Sequence, residues 1–307
     1  MPIALPLCSA GMTKGTSGPG AIELRHLRCF LAIADEGNIT RAAARLRITQ
    51  PAASRTLAAL EDALRARLVD RSTHYLTLTP EGRAFRDKAA VAVAAFEDAL
   101  DVGRSVRRAL RLGHAWSAAG AYTTPLLRRW REAHPDVPLE LLRIDDRTAG
   151  LARGAVDAAL LRGPVGTPGL VTELLYTEAR VAAVPADSPP AGQGSAALDE
   201  LAGAVIALNT VSGTTTLDLW PVDARPTGTI TVANTDDWLA AIAASRAVGV
   251  TTTATAALHP HPGVVYVPLP DAPPVPVFLA RRDGPPSHPA LRDLCALAHE
   301  VTGRDSA

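Results

Sequence analysis

The chain has 307 residues, 47% of them hydrophobic and only 4% aromatic, enough for two or three domains with cores built from Ala, Val and Leu. Its 31 Lys and Arg balance 31 Asp and Glu, yet residues 1–88 carry 13 bases against 8 acids and residues 89–307 carry 18 against 23, so a basic head precedes an acidic body, which suits a polyanion held at one end only. Cys8, Cys29 and Cys295 sit far apart in no metal-ligand spacing and read as reduced thiols of a cytosolic protein, while no run of 18 apolar residues exists to span a membrane.

Residues 1–21 read as a disordered Gly/Ser/Pro arm, or as an upstream extension with the natural start at Met12. The apolar run Ile3 to Cys8 lacks a basic flank and is too short for a secretory signal, and Leu7 is too large for the position before a lipoprotein cysteine. Leu24, Leu27, Phe30, Leu31 and Ala34 then recur at helical spacing and predict a first amphipathic helix. The stretch Asn38 to Ala63 reads as two short helices joined by a tight turn. Asn38 is placed to cap the first, whose Ala42, Ala43 and Leu46 face inward, and Arg47-Ile48 form the turn. Thr49 caps the second, with Pro51 in its first turn, where a missing N–H costs nothing. Ala53, Leu57, Leu60 and Leu64 make the inward face of that helix, which leaves Gln50, Ser54 and Arg55 pointing out. Gln suits a bidentate bond to adenine and Arg one to guanine in the major groove. Four arginines and no acid lie between Asn38 and Leu60, so the outward face is expected to carry uncompensated positive charge. Leu68 to Arg71 and Tyr75 to Leu78 complete the pattern as two short strands around a polar turn, a winged helix-turn-helix layout.

Several ordered blocks carry a resemblance to a known family. They are Leu27-Arg28-Cys29-Phe30, Thr40-Arg41-Ala42-Ala43, Thr49-Gln50-Pro51-Ala52-Ala53-Ser54-Arg55, Leu60-Glu61, Arg71, and Leu78-Thr79-Pro80-Glu81-Gly82. In these residues the chain resembles the LysR-type transcriptional regulators, and the resemblance extends from Ile22 onward. Two positions depart from the family pattern: Arg65-Ala66 stands where a glycine is usual before the wing, and Val69 where an aromatic is usual. The resemblance implies a winged helix-turn-helix DNA-binding domain over 22–79 after an extension at 1–21. Its DNA-contacting set would be Asn38, Thr40, Arg41, Thr49, Gln50, Pro51, Ser54, Arg55 and, on the wing, Arg71.

Thr79 as cap, Pro80 as first residue and Glu81 at the positive helix end start a long helix expected to run to about Val106. Its stripe Phe85, Ala89, Val93, Phe96 and Leu100 is too long for the small head to cover and asks for a partner helix from a second subunit. In the resembled family this linker, here 80–106, pairs antiparallel in a dimer.

From Ala109 onward strands and helices alternate, which implies parallel α/β units. The expected order is strand Leu110 to His114, helix Tyr122 to His134, strand Leu139 to Ile144, helix Thr148 to Arg153 and strand Ala158 to Leu161. The Pro/Gly/Ser stretch Pro185 to Ser195 leads to strand Ala204 to Leu208, helix Thr214 to Trp220, strand Thr229 to Val232, helix Thr235 to Ser245 and strand Gly249 to Thr252. Val275 to Arg282 returns to the first lobe, and His288 to Thr302 is a terminal helix. Pro135-Asp136-Val137 and Gly154-Ala155-Val156-Asp157 look like their counterparts in the family's effector domain, a two-lobed fold similar to periplasmic binding proteins. That domain is assigned to 107–307, with lobe 1 at 107–184 and 271–307 and lobe 2 at 185–270.

Ligands of open α/β sheets bind beyond the carboxyl ends of the strands, at helix N-termini, which puts a site between the lobes. Candidate contacts are Trp116, Ser117, Asp146, Thr148, Arg162, Asn209, Thr214 and Thr235. Ser117, Thr148, Thr214 and Thr235 are equally competent helix caps, and Trp116 either stacks on a planar ligand or packs between lobes. Asp145-Asp146-Arg147 stands where many family members have small polar residues. It is either an acidic wall that disfavours a simple anion or a solvated cap. His259-Pro260-His261-Pro262 reads as a surface loop rather than a metal site, no catalytic motif is present, and neither a metal nor a cofactor is expected.

The expectation is therefore a non-enzymatic, cytoplasmic regulator that binds double-stranded DNA of dyad symmetry and a small effector. It would form dimers and tetramers, take RNA polymerase as a further partner and make no membrane contact. The alternative is a two-lobed solute-binding or enzymatic protein with an incidental helical head.

Overall fold

The computed structural model describes residues 22–70, 76–100, 108–226 and 228–303. The chain forms two compact units that divide within one long helix, the first ending at Val93.

The first unit opens with α1 (Leu24–Glu36), α2 (Ile39–Arg45) and α3 (Gln50–Leu64). Local chemistry sets their ends. The Asn38 Oδ1 accepts from the Thr40 and Arg41 N–H groups at 2.8 and 3.1 Å, the Thr49 hydroxyl accepts from Ala52 N–H, and Pro51 falls in the first turn of α3. Ala42, Ala43, Ala53, Leu57 and Leu60 are buried, as their spacing requires. The inner face of α1 differs from the expected stripe: His26, Cys29, Phe30, Ala32 and Ile33 are buried, whereas Leu24, Leu27, Leu31 and Ala34 are half-buried. Both α2 and α3 clasp α1, so two neighbours rather than hydrophobicity alone choose its buried arc. His26 is tolerated there because its Nδ1 accepts from the Glu23 N–H at 2.9 Å.

Strands β1 (Val69–Asp70) and β2 (Thr77–Leu78) pair antiparallel as the base of the wing, and Glu61 holds that base. Its carboxylate, 3% exposed, accepts from the Leu68 and Val69 N–H groups at 2.8 and 3.2 Å. Arg65 occupies the left-handed position that ends α3, at φ 52°, where a glycine would avoid a cost of about 1–2 kcal/mol. Helix α4 (Pro80–Leu100) follows, capped by the Thr79 hydroxyl accepting from Gly82 N–H at 2.9 Å. Gly82 is obligatory: a Cβ there would lie 2.0 Å from the Leu68 carbonyl oxygen, so the close docking of helix on wing excludes any side chain.

The apolar stripe of α4 is divided. Phe85 packs on Phe30 with ring centroids 5.3 Å apart, and Ala89 and Val93 are buried. Phe85 and Ala89 thus belong to the head's own core, which corrects their assignment to a subunit interface, while Phe96 and Leu100 stay 44% and 69% exposed. The expected continuation to Val106 lies outside the described residues.

In the second unit, β3 (Leu110–His114) is followed by α5 (Thr123–Ala133), β4 (Leu139–Arg143), β5 (Ala158–Arg162) and β6 (Leu170–Glu178). Strand β3 runs parallel to β4 and β5. The next strand, β7 (Arg180–Pro185), already belongs to a second sheet, so the chain changes lobes at Ala179 rather than after residue 184. The second lobe holds β8 (Val205–Asn209), β9 (Gly228–Val232), α6 (Thr235–Ala243), β10 (Gly249–Thr252), α7 (Thr253–Leu258) and β11 (Val264–Pro268). Here β7 sits between β10 and β11, and β8 pairs parallel with β9. Strand β12 (Val275–Arg282) returns to the first lobe, between β5 and β6 in the order β4-β3-β5-β12-β6, and α8 (Leu291–Gly303) packs beside α5 over that sheet around Trp130 and Leu294.

Two expected helices are absent. Residues 147–154 form successive turns, because Ala149 (φ 48°), Gly150 (φ 83°) and Gly154 (φ 72°) all take left-handed backbone that an α-helix excludes. In place of Thr214 to Trp220 there is one short 3₁₀ turn at Leu217–Leu219. The binding loops of these two segments therefore do not rest on helix N-termini.

Candidate nucleic-acid interface and ligand cleft

On α3, Gln50, Pro51 and Arg55 are exposed and Ser54 is half-buried, on an arc set apart from Ala53, Leu57 and Leu60. Capping occupies Asn38 and Thr49, which hold the two helix starts, and Thr40 is exposed beside them. The positive face is less bare than the local sequence implies. Arg41 lies 3.7 Å from Glu36, and Arg45 lies 3.2 Å from Asp35 and 3.5 Å from Glu36; both acids come from the end of α1. These exposed pairs are weak, worth about 0.2–1 kcal/mol, and DNA phosphates could displace them. Arg47 and Arg55 have no acidic partner among the described residues. Arg71 lies outside the described residues.

The second candidate site is the cleft between the two lobes of the second unit. A cavity of about 290 Å³ is walled by Ala115, Trp116, Arg147, Leu160 and Arg162 from the first lobe and by Arg180 and the Ser212–Thr214 loop from the second. An adjoining compartment of about 20 Å³, room for one water-sized group, reaches Asn209, Thr251, Thr252 and Thr255. The Thr252 hydroxyl there is buried without a partner among the described residues.

Trp116 closes the cleft by packing on the second lobe. Its Nε1 donates to the Thr255 hydroxyl at 2.7 Å, and its ring meets Trp238 edge-on at 5.7 Å and His259 at 6.2 Å. His259 is thus part of the lobe contact rather than a free surface loop. The Arg162 side chain is withdrawn from solvent and fully engaged. Its Nε and Nη2 grip the Glu178 carboxylate at 2.9 and 2.8 Å, and its Nη1 donates to the Trp116 and Ala118 carbonyls. It fastens the 116–118 turn, where Ser117 and Ala118 hold φ of 51° and 40°. His114, at the end of β3, is driven down to about 4 by burial and then by the Arg143 and Arg162 charges, so it is neutral at ordinary pH.

Of the residues singled out from sequence, Trp116, Asp146, Arg162, Asn209 and Thr214 line this cleft. The others do not. Ser117 is buried behind the wall with its hydroxyl unpartnered, Thr148 donates to Asp146 and accepts from Ala152 N–H as a local cap, and Thr235 is buried and receives Arg143 at 3.3 Å. Asp146 spends its carboxylate on the N–H groups of Thr148 and Gly150, at 2.7 and 3.1 Å, and faces Arg153 at 3.7 Å. Asp145 pairs with Arg143 at 3.2 Å. The carboxylate of Asp146 thus caps its own loop while still lining the cavity, and the helix whose dipole the pair was expected to complement is absent. Arg180 was missed, although a single arginine opening the apolar run Val181-Ala182-Ala183-Val184 was the available signal.

Both units find their counterparts in family models. The bacterial regulatory helix-turn-helix protein, lysR family, matches residues 24–83, and the LysR substrate binding domain matches residues 103–303. The chain belongs to the LysR family. The HTH-type transcriptional regulator BenM of Acinetobacter baylyi is 31% identical over 173 residues, 55% of this chain and 57% of BenM. The Hca operon transcriptional activator HcaR of Escherichia coli is 31% identical over 187 residues, 59% of this chain and 63% of HcaR. The matched sequence thus spans about six-tenths of these curated relatives. In structure, full-length BenM aligns with TM-score 0.51 and 25% identity, covering 93% of this chain and 98% of that one. CbnR, a LysR family transcriptional regulator, aligns with TM-score 0.63 at 21% identity over 92% of this chain and 99% of CbnR, a likeness of fold. Among the described residues no helix is long and apolar enough to cross a membrane.

Proposed function

We propose that this LysR-family chain is a DNA-binding transcriptional regulator, a binder rather than a catalyst, acting in the cytoplasm on promoter DNA. The carrying observation is the pairing of a capped α3, which exposes Gln50 and Arg55, with a two-lobed unit that encloses a cleft. Dimers would read dyad-related half-sites, two dimers would form a tetramer, and RNA polymerase is the further partner such a complex would meet. An effector that binds one closure state of the lobes more tightly than the other shifts the population of DNA-bound arrangements. Relatives such as HcaR, named a transcriptional activator, support the reading.

The decisive experiment is a gel shift on the upstream DNA of the chain's own gene. Arg55→Ala is expected to weaken specific binding by about 1–3 kcal/mol, as loss of a bidentate base contact does, and Gln50→Ala to relax specificity. Unchanged operator affinity in both variants would remove α3 as the reading helix.

Self-association is tested on the exposed end of the α4 stripe. In a symmetric helix pair, Phe96→Asp buries two unpaired carboxylates, at a cost of several kcal/mol per dimer. Sedimentation should show a smaller species that has lost DNA affinity, and an unaltered oligomer would exclude α4 as the dimer seam.

A further inference from the structure

Arg180 opens β7, the strand by which the chain enters the second lobe, and is only 9% exposed. Its Nε donates to the Pro273 carbonyl at 2.9 Å, its Nη1 to the Thr215 hydroxyl at 3.4 Å and its Nη2 to the Thr214 carbonyl at 3.3 Å. All three acceptors are neutral, and two of the bonds are long. Among the described residues no carboxylate pairs with Arg180, and burial alone pulls its pKa down. The contrast with Arg162 is direct: the side chain of that arginine, 5% exposed, is gripped by Glu178. A buried guanidinium without a counter-ion is costly, so its charge asks for an anion from outside the chain.

The surroundings define the anion. Arg180 lines the 290 Å³ cavity together with Arg147 of the first lobe, a volume at the small end of ligand sites. The acids at the same cavity are already engaged, Asp146 by its own loop and Asp218 by Arg225. They leave room for one negative charge but oppose a second. Much of the remaining wall is apolar, supplied by Leu160, Leu161, Pro164 and Leu219.

We propose that Arg180 anchors a small monocarboxylate with an apolar body, its carboxylate replacing the long contacts to Thr214 and Thr215 and its body lying against Leu160, Leu161 and Leu219. This rests on the reading of the cleft as the effector site. It names the chemical class that the site selects.

The test uses the full chain and two acid–amide pairs, benzoate with benzamide and isovalerate with isovaleramide, followed by calorimetry and by tryptophan fluorescence, to which Trp116 at the cleft contributes. At least one acid should bind, with its neutral amide weaker by about tenfold or more, the loss expected when a charge-assisted bidentate bond becomes a neutral one. Arg180→Gln should erase that preference, while Arg180→Lys, which keeps the charge, should retain part of it and shows that loss in the Gln variant is not unfolding. Neither acid binding, amides binding as well as acids, or an unaltered acid preference in Arg180→Gln would each overturn the assignment. The gel shift separates this from the broader reading. If an acid binds through Arg180 yet leaves the DNA complex unchanged, the anion site stands and the effector role fails. If the protein shifts its operator but binds neither acid, the regulator stands and the carboxylate class fails.

Discussion

Glu178→Gln will destabilise the second unit by about 3–5 kcal/mol, the usual penalty for removing one partner of a buried ion pair. Both side chains of the Arg162–Glu178 pair are 5% exposed. The glutamate accepts two guanidinium bonds and a third from the Tyr176 hydroxyl at 3.2 Å, and a neutral amide would present N–H groups to donors that need acceptors. The damage should reach the cleft, because the same guanidinium holds the carbonyls of Trp116 and Ala118 across a turn with two left-handed non-glycine residues. Such strained residues persist only when their surroundings impose them. All four tryptophans, at 116, 130, 220 and 238, lie in the second unit. Urea unfolding followed by tryptophan emission therefore reports that unit without contribution from the head. A loss under about 1 kcal/mol, with the native tryptophan emission unmoved, would mean that the pair does not support the turn.

The second large effect is at Asp157, which is 1% exposed. Its carboxylate accepts from Arg108 Nη1 and Nη2 at 3.2 and 2.9 Å, from the Arg111 N–H at 2.9 Å and from the Ser287 hydroxyl at 3.1 Å. It thereby ties the start of β3 to the approach to α8. Asp157→Asn should cost about 3–5 kcal/mol, since a buried carboxylate that accepts from Arg108, the Arg111 N–H and Ser287 becomes a neutral amide with one acceptor oxygen instead of two. The pH dependence has a definite sign. Burial by itself would raise the Asp157 pKa, but the bonds from Arg108 and Arg111 prevail and hold it below the ordinary carboxylate range. A depressed folded-state pKa makes a contribution that is complete above the unfolded value of about 3.9 and is lost as pH falls below it toward the folded value. The urea midpoint of the wild type should hence decline below about pH 4 more steeply than that of the Asn variant, with the two profiles parallel at higher pH. Parallel profiles through the acid range as well would contradict the role given to this carboxylate.

Much of the head is legible in local sequence because its determinants act over three or four residues. Asn38, Thr49 and Thr79 each cap a helix using N–H groups two or three positions away, and Ala53, Leu57 and Leu60 are buried through helical periodicity alone. In the body, β3, β4, β5, β8, β9, β10 and β12 with α5, α6 and α8 are legible from their patterns, whereas β6, β7, α7 and β11 were not foreseen. Where the reading failed, backbone conformation or a distant partner intervened. The left-handed residues at 149, 150 and 154 turned an apparent helix into turns, and the clasp of α2 and α3 rotated the buried face of α1.

The residue chemistry around the cleft was also visible in sequence, but its electrical state was not. Trp116, Arg162, Asn209 and Thr214 could be named from where strands end. Which charges are spent and which remain depends on contacts between separate strands and loops. Arg162 is neutralised from across the sheet by Glu178, Asp146 is consumed by its own loop, and Arg180 is left with neutral acceptors where the chain crosses at Ala179 into the second lobe. Sequence alone determined the capped starts of the helices of the head, the inward faces of α2 and α3 and the family resemblance. Only the tertiary structure decided which buried arginine still lacks an anion, because burial and ion pairing are properties of three-dimensional neighbours that no local spacing encodes.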